Sequence, residues 1–569
     1  MREIVTIQVG DFANFIGSHF WNFQDELLGL ASDPESDPIF RNQNLDMDVL
    51  YRSGETQQGV STYTPRLVSV NFKGSLGSMS SRGTLYNEGS SSRSDSSKTW
   101  FGDVDTQRSE PQKKNLFLQS LYEEEVKVGK EKATKIEDKD IVGCLDEEVE
   151  CWTDFSKSHY HPQSLYELSG LWTDSQDFNN YGIGKDVFSE ASRGEEICDR
   201  LRFFVEECDH IQGIKFLVDD SGGFSAVAAD FLETIADDYT NIPVLLYSVR
   251  TPMSQMNPSS SKKTVSNKLH DAISFSRLSS YCKLFTPIGL PYLSGSKASK
   301  FLNLGDEKPY RSSAVYAAAL HSSTIPFRMQ PSSSSSSSDS SEVSNAMDVN
   351  TLVQLLTGRG RQNMVAILDS AMPAPTLAGM QLENTLLTDL QSLTPEVTED
   401  VEDEQAIESV CILGALRSED KEASVSEVTN AVDACYEQRK KTKPLFCNLS
   451  VSRCPLPVPL PFPSIFGNLV GRKGEILSSP VVSESLYRGS LDVHSLPVAA
   501  RWRSSSAVLP FLESRMGNLE KLGIQWGAMG SDVVRAWGFG REELQEMREN
   551  LSKMVSELSP QLLISSDSE

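Results

Sequence analysis

The sequence predicts an α/β protein: a parallel sheet with helices on both faces, then a middle α+β part and a helical C-terminal region. Three observations carry this. Short, almost wholly apolar runs alternate with stretches of helical periodicity, as in sheets buried on both faces. Two glycine-bearing turns stand where such runs end, "VGDFANFIG" at 9–17 and "DDSGGFSAV" at 219–227. The chain has 569 residues, room for two or three domains and a large core. In parallel sheets ligands sit outside the carboxyl ends of the strands, where both turns fall.

Taken in order, Ile4 to Val9 is an apolar run that stops at Gly10. Beyond it Phe12, Ile16, Phe20, Phe23 and Leu27 recur at spacings of three and four, a helix with one apolar face. A strand, a glycine turn and a helix in that order suggest a phosphate cradle. Residues 63–76, "YTPRLVSVNFKGSL", form a second strand running into a turn at Gly74. Residues 195–208 form a helix with Ile197, Leu201, Phe204 and Val205 inward. "IKFLV" at 214–218 is a buried strand, followed by the second glycine turn and another helix, and "IPVLLYSV" at 242–249 is the next strand. Past residue 343, "NTLVQLL", "SVCILGALR" and "VTNAVDACYEQ" read as helices. Proline at every second position keeps 454–466 extended. Leu544, Met547, Leu551, Met554 and Leu558 form a final stripe at helical spacing, suited to packing on its own domain.

Residues 88–98, 254–266 and 331–342 are serine-rich and bury nothing that would offset their ordering entropy. Residues 396–405 hold six acids and no base, and are expected to stay solvated. The net charge of −26 argues against nucleic-acid binding and against anionic lipid. Nine cysteines, an odd number without a C-x-x-C pair, suit a reduced intracellular chain better than a disulfide framework or a zinc module. No signal peptide is read at the N-terminus, and no run approaches the roughly 20 apolar residues of a spanning helix. His159 and His161 stand two apart, but a structured loop beside Trp152 explains them better than a metal.

Several stretches carry a resemblance. "MREIVTIQVGDFANFIGSHFW" resembles the opening of tubulins, whose first phosphate loop reads GQCGNQIG. "YTPRLVSVNFKGS" is similar to the stretch around PRAVLVDLEPG, and "NNYGIGKDVF" to GNNWAKGHY. "IKFLVDDSGGFSAV" resembles the strand and signature GGGTGSG. All four occur in tubulin order. "LRFFVEECDHIQG", "PLPFPSIFG" and "SSAVYAAALHSSTIPF" look like the Misato family of tubulin-like proteins. This implies a tubulin-like region at 1–76 and 150–250, a largely disordered insertion at 77–149, and the end of the tubulin-like region at 251–330. A serine-rich linker at 331–345 and a second tubulin-like or C-terminal region at 346–569 complete the chain.

What the resemblance implies about chemistry turns on a few positions. Gly10, Asn14 and Gly17 match the first tubulin loop, whereas Asp11 replaces a glutamine, Phe12 a cysteine and Ala13 a glycine. A carboxylate near a polyphosphate repels it unless a metal lies between, so Asp11 would either oppose a nucleotide or hold Mg²⁺. Asn71 and Lys73 stand where tubulins have two acids on the metal side, and Lys73 is read as a phosphate contact or an exposed turn residue. Asn180 matches the third loop, where an Asx turn serves equally well. Ser221, Gly222 and Gly223 retain part of the fourth, but Phe224 replaces its threonine and Val227 its last glycine. Neither can cradle a phosphate as a glycine backbone does. These substitutions describe a vestigial nucleotide site without catalytic residues, metal or cofactor, with GTP as the one cofactor to test. The family implies a non-enzymatic role in mitochondrial organisation, distribution, morphology and inheritance, linked to microtubules and chromosome segregation. It implies residence in cytoplasm and on the outer mitochondrial surface, and protein partners such as tubulin or its chaperonin. The alternative is a GTP-binding switch with an atypical metal and phosphate site.

Overall fold

The computed structural model describes residues 2–55, 61–80, 98–99, 102–103, 114–126, 136–170, 178–190, 192–252, 261–290, 301–304, 308–330, 346–358, 364–377, 387, 389–398, 401, 403–417, 421–438, 444–482 and 487–559. Of the serine-rich stretches at 88–98, 254–266 and 331–342, all but Lys98 and residues 261–266 fall outside the described residues. Residues 261–266, expected to bury nothing, instead begin a helix (Ser261–Ser279) with Val265 buried.

Six strands make the first sheet: β1 (Glu3–Val9), β2 (Leu67–Phe72), β3 (Leu165–Leu168), β4 (Ile211–Asp219), β5 (Val244–Arg250) and β6 (Leu284–Gly289). Their order is β3-β2-β1-β4-β5-β6, and every pairing is parallel. The order reverses between β1 and β4, and such a switch point leaves a crevice at the strands' carboxyl ends.

Alternation on β1 divides the core. Ile4 faces a layer with α1 (Asp11–Ser32) and α7 (Pro309–Thr324). Val5, Ile7 and Val9 face the opposite layer, with α4 (Arg193–Glu206), α5 (Phe224–Asp238) and α6 (Ser261–Ser279). The expected single apolar face of α1 is too narrow: its first four turns are buried on every side. Its polar residues are matched instead. Ser18 Oγ donates to Trp152 O at 2.8 Å and Asn22 Nδ2 to Phe155 O at 2.8 Å. His19 Nε2 lies 2.8 Å from Tyr310 O. The segment around Trp152 thus covers a flank of α1 that periodicity assigned to solvent. Within 77–149, α2 (Leu116–Val126) and α3 (Asp138–Glu148) are helical, and Phe117, Ile141 and Leu145 join the core.

The second sheet contains β7 (Ile367–Ala371), β8 (Gln391–Ser392), β9 (Ile407–Leu413), β10 (Phe446–Ser452) and β11 (Val498–Ser504), in the order β8-β7-β11-β9-β10. Here "SVCILGALR", expected as helix, is a correction. Most of it is the strand β9, paired on both sides and ended by Gly414 at φ 56°. A continuous apolar run reads alike in a buried helix and a central strand, and pairing on both edges decided it. Two helices, α8 (Val349–Gly358) and α9 (Val425–Gln438), flank this sheet's strands in sequence. The two sheets meet where Phe285 N donates to Met364 O and Ala366 N to Phe285 O. Trp502 on β11 packs on Tyr247 of β5, with ring centroids 5.8 Å apart.

The acidic stretch at 396–405 is also corrected. Asp403 is buried and accepts from Ser506 N at 2.7 Å, while Glu396 pairs with Arg515 at 3.1 Å. Asp403 fastens the segment that leads into α10 (Leu509–Leu519), and Glu396 fastens α10 itself. The last helix, α11 (Arg541–Leu558), buries Leu544, Met547, Leu551 and Leu558 against the layer of α6 and α10.

Candidate nucleotide crevice

The crevice forms where β1, β2 and β4 end. Gly10 takes φ 103°, a left-handed turn that admits α1 directly after β1. The space around it is already filled: a Cβ there would lie 2.6 Å from Asp219 Cβ and 3.1 Å from the Phe224 ring. The two loops that flank a phosphate in the resemblance therefore touch each other.

The helix N-terminus offers the usual unpaired amides. The Phe12 amide donates to Asp219 Oδ2 at 3.3 Å. Asp219 also accepts from the Ser221 hydroxyl at 2.5 Å and the Ser221 amide at 3.2 Å. A carboxylate of the chain itself thus stands at the positive end of α1, where a bound anion would be favoured. Above it Phe224 is buried, with its ring 4.5 Å from that of Phe72 and 5.1 Å from that of Phe178. The glycine turn lies under this cluster, and Gly223 N donates to Phe178 O at 2.7 Å.

Asp11 accepts from Asn71 Nδ2 at 3.0 Å. Burial lifts its carboxyl to about 6, with the nearby charge of Asp219 adding to the rise and the Asn71 bond opposing it. Burial also raises the Asp219 carboxyl, against its bonds from Ser221 and Phe12. Asp220 differs. Burial would raise it too, but the Arg250 guanidinium, 2.5 Å away, holds it below the ordinary range. Ser248 Oγ and the His270 ring nitrogen, toward the Asp220 carbonyl, complete that anchor at 2.6 and 2.5 Å.

The remaining sequence candidates are structural pins or surface residues here. Asn14 is buried, donating to Gly10 O at 2.8 Å and accepting from Ser69 Oγ at 2.7 Å, so its amide locks the turn to β2. Gly17 gives room to the Gln8 side chain, into which any Cβ would run. Lys73 is exposed in the turn after β2, beside Gly74 at φ 90°. Asn180 caps a short helical turn through Ile183 N at 3.2 Å, the Asx-type role weighed from the sequence. His161 accepts from Gln163 N at 3.1 Å and stacks on Phe203 at 4.7 Å. Among the described residues no group of three or more His, Cys, Asp or Glu side chains is gathered to hold a metal.

Sequence reading found Phe224 but missed its partners Phe72 and Phe178. The available signal was local, since each is an aromatic residue beside a turn that borders the expected pocket. The anchor at Arg250 gave no such signal, because its partner lies 30 residues away.

Comparison with known sequences agrees with this architecture. Residues 2–123 match the Misato Segment II tubulin-like domain and residues 144–329 match a Tubulin domain. The chain is 28% identical to "Protein misato homolog 1" of Mus musculus over 579 residues, 97% of each chain. It is 28% identical to the protein of that name in Homo sapiens, over 68% of this chain and 67% of the relative. Likeness to "Protein DML1" of Gibberella zeae is also 28%, covering 66% of this chain and 68% of that one.

Proposed function

The chain belongs to the Misato family of tubulin-like proteins, and on that premise we propose that it is a tubulin relative that binds protein partners instead of turning over nucleotide. Its role on this reading is the organisation, distribution and morphology of mitochondria, at their cytoplasmic surface and in contact with microtubule components or their folding machinery. The observation that supports the non-enzymatic part is the Phe12 amide engaged by Asp219 beneath a closed cluster of Phe72, Phe178 and Phe224. A triphosphate entering there would meet two carboxylates, Asp11 and Asp219, in a site from which water is largely excluded, and repulsion is strongest in such surroundings.

Calorimetric titration of the purified chain with GTP and Mg²⁺ tests this part. No binding heat is expected; micromolar affinity abolished by Asp11→Ala would establish the GTP-binding switch instead. The cellular part is tested by depletion: clustered or misplaced mitochondria are expected, and normal mitochondria and spindles would remove it. Among the described residues no helix is long and apolar enough to cross a membrane, so attachment through a partner or a peripheral contact suits the reading.

A further inference from the structure

Behind the first sheet, on the face away from the crevice's aromatic cluster, two long cationic side chains are buried without an acid. Arg328 follows α7 and is 1% exposed; Lys215 lies in the middle of β4 and is 4% exposed. The Arg328 guanidinium donates through Nη1 to Gln24 Oε1, while its Nε and Nη2 are buried with no hydrogen-bond partner. The Lys215 ammonium sits 3.4 Å from the Phe20 ring centroid and 5.6 Å from that of Trp21. Ring faces compensate part of one buried charge, not two.

Neither cation forms an ion pair with a carboxylate among the described residues. The neighbouring His321 supplies no negative charge; its Nδ1 accepts from Gln24 Nε2 at 2.9 Å. Burial lowers the Arg328 guanidinium to about 10, which leaves it charged at neutral pH. Burial and the adjacent Arg328 charge push the Lys215 ammonium well down, so the uncompensated charge rests chiefly on Arg328. A charge left in such surroundings is costly unless it is paired. Between the two side chains lies a cavity of about 10 Å³, closed otherwise by Thr324 and by apolar residues including Ile4, Leu50 and Leu245. That is room for one water-sized particle.

We propose that this cavity holds a single monatomic anion of the halide class, coordinated by the free N–H groups of Arg328 and by Lys215. The anion balances a buried charge at the point where β4, α1 and the end of α7 meet. It acts as a structural ion of the fold, separate from the nucleotide crevice.

The test uses the full chain in chloride and in gluconate, which is too large to enter, at equal ionic strength. The unfolding midpoint should rise with chloride relative to gluconate, by on the order of 1–2 °C for each tenfold increase above the dissociation constant. In Lys215→Met and Arg328→Met the two salts should become equivalent. Equal midpoints in both salts for the unaltered chain, or an undiminished chloride effect in both variants, would overturn the proposal. Should the variants fail to fold, crystals grown in bromide decide it. An anomalous peak between Arg328 and Lys215 supports the ion, and water-like density without anomalous signal removes it.

Discussion

Two of the places where this molecule buries carboxylates are built on opposite terms. In the second sheet Asp369 on β7 is clasped by Arg501 at 2.7 Å and by Arg503 at 3.2 Å, and Arg501 reaches Glu408 on β9 at 3.3 Å. Tyr436 closes the group by donating to Glu408 at 2.5 Å. Burial would raise the Asp369 carboxyl, yet the two guanidiniums hold it below the ordinary range. In the crevice of the first sheet, Asp11 and Asp219 receive hydrogen bonds from Asn71, Ser221 and the Phe12 amide but no ion pair is formed with either among the described residues, and both carboxyls are raised. The first arrangement is a charge-balanced lock between strands. In the second, the chain's own acid accepts from the amide at a helix N-terminus, an end that favours negative charge.

The contrast is broken most severely at Arg501. Arg501→Met leaves Asp369 and Glu408 facing each other in the interior with half their compensation gone. A loss of about 3–5 kcal/mol is expected, read as a lower urea midpoint for unfolding. A loss below about 1 kcal/mol would show that the lock is solvated and that the comparison has no basis.

The aromatic lid over the crevice comes next. Phe224→Leu keeps an apolar residue but gives up the ring contacts with Phe72 and Phe178, and should cost about 1–2 kcal/mol in the same measurement. It should not create GTP binding, since the Asp219 carboxylate still occupies the helix N-terminus. GTP binding by this single variant would show that the lid alone closes the site.

These two places also differ in how far the sequence disclosed them. The crevice was legible because turns report on themselves: Gly10 and Gly222 mark tight backbone, and Asp11 and Phe224 stand out inside it. The parallel sheet was legible for a similar reason, as almost wholly apolar strands such as 242–247 are typical of sheets covered on both faces. The arginine lock was not legible. Asp369, Glu408 and Arg501 look like ordinary surface residues of alternating strands, and only the antiparallel register of β11 against β7 and β9 brings them together across 132 and 93 residues. The same long-range pairing turned "SVCILGALR" from an expected helix into a central strand. Asp403 was misread for a related reason: composition placed it in solvent, but its partners are backbone and side-chain donors some 100 residues later.

Titration separates the two regions by sign. The Asp11 carboxyl is raised from 3.8 to about 6, so the folded chain favours its protonated form. Its stabilising contribution is complete below the ordinary carboxylate range and is lost as pH rises through about 6. Asp369 is lowered, so its contribution is present above the ordinary range and is lost only as pH falls below it. Between pH 5 and 7 the crevice should therefore weaken with rising pH while the lock stays constant. Asp11→Asn keeps an oxygen for the Asn71 amide and removes the charge. It should flatten this dependence and stabilise the chain at pH 7.5 by on the order of 1–2 kcal/mol. An unchanged slope between pH 5 and 7 would show that Asp11 is solvated.

The smallest effect sharpens the reading of the crevice most directly. Lys73 is the only basic residue that the resemblance brought to the expected phosphate site, and it lies exposed in a turn. Were the crevice a working anion site, losing this charge would weaken it measurably, because a lysine beside a phosphate supplies a charge-assisted hydrogen bond. If the Asp219 carboxylate is the anion the helix already holds, Lys73→Ala removes a solvated side chain and nothing more. Its stability should then stay within about 0.5 kcal/mol of the unaltered chain, as for other exposed substitutions. Circular dichroism melts with and without GTP and Mg²⁺ make the measurement. Superimposable curves in all four conditions are the expected result. A GTP-dependent rise in the melting temperature that Lys73→Ala abolishes would mean that the crevice opens to phosphate after all.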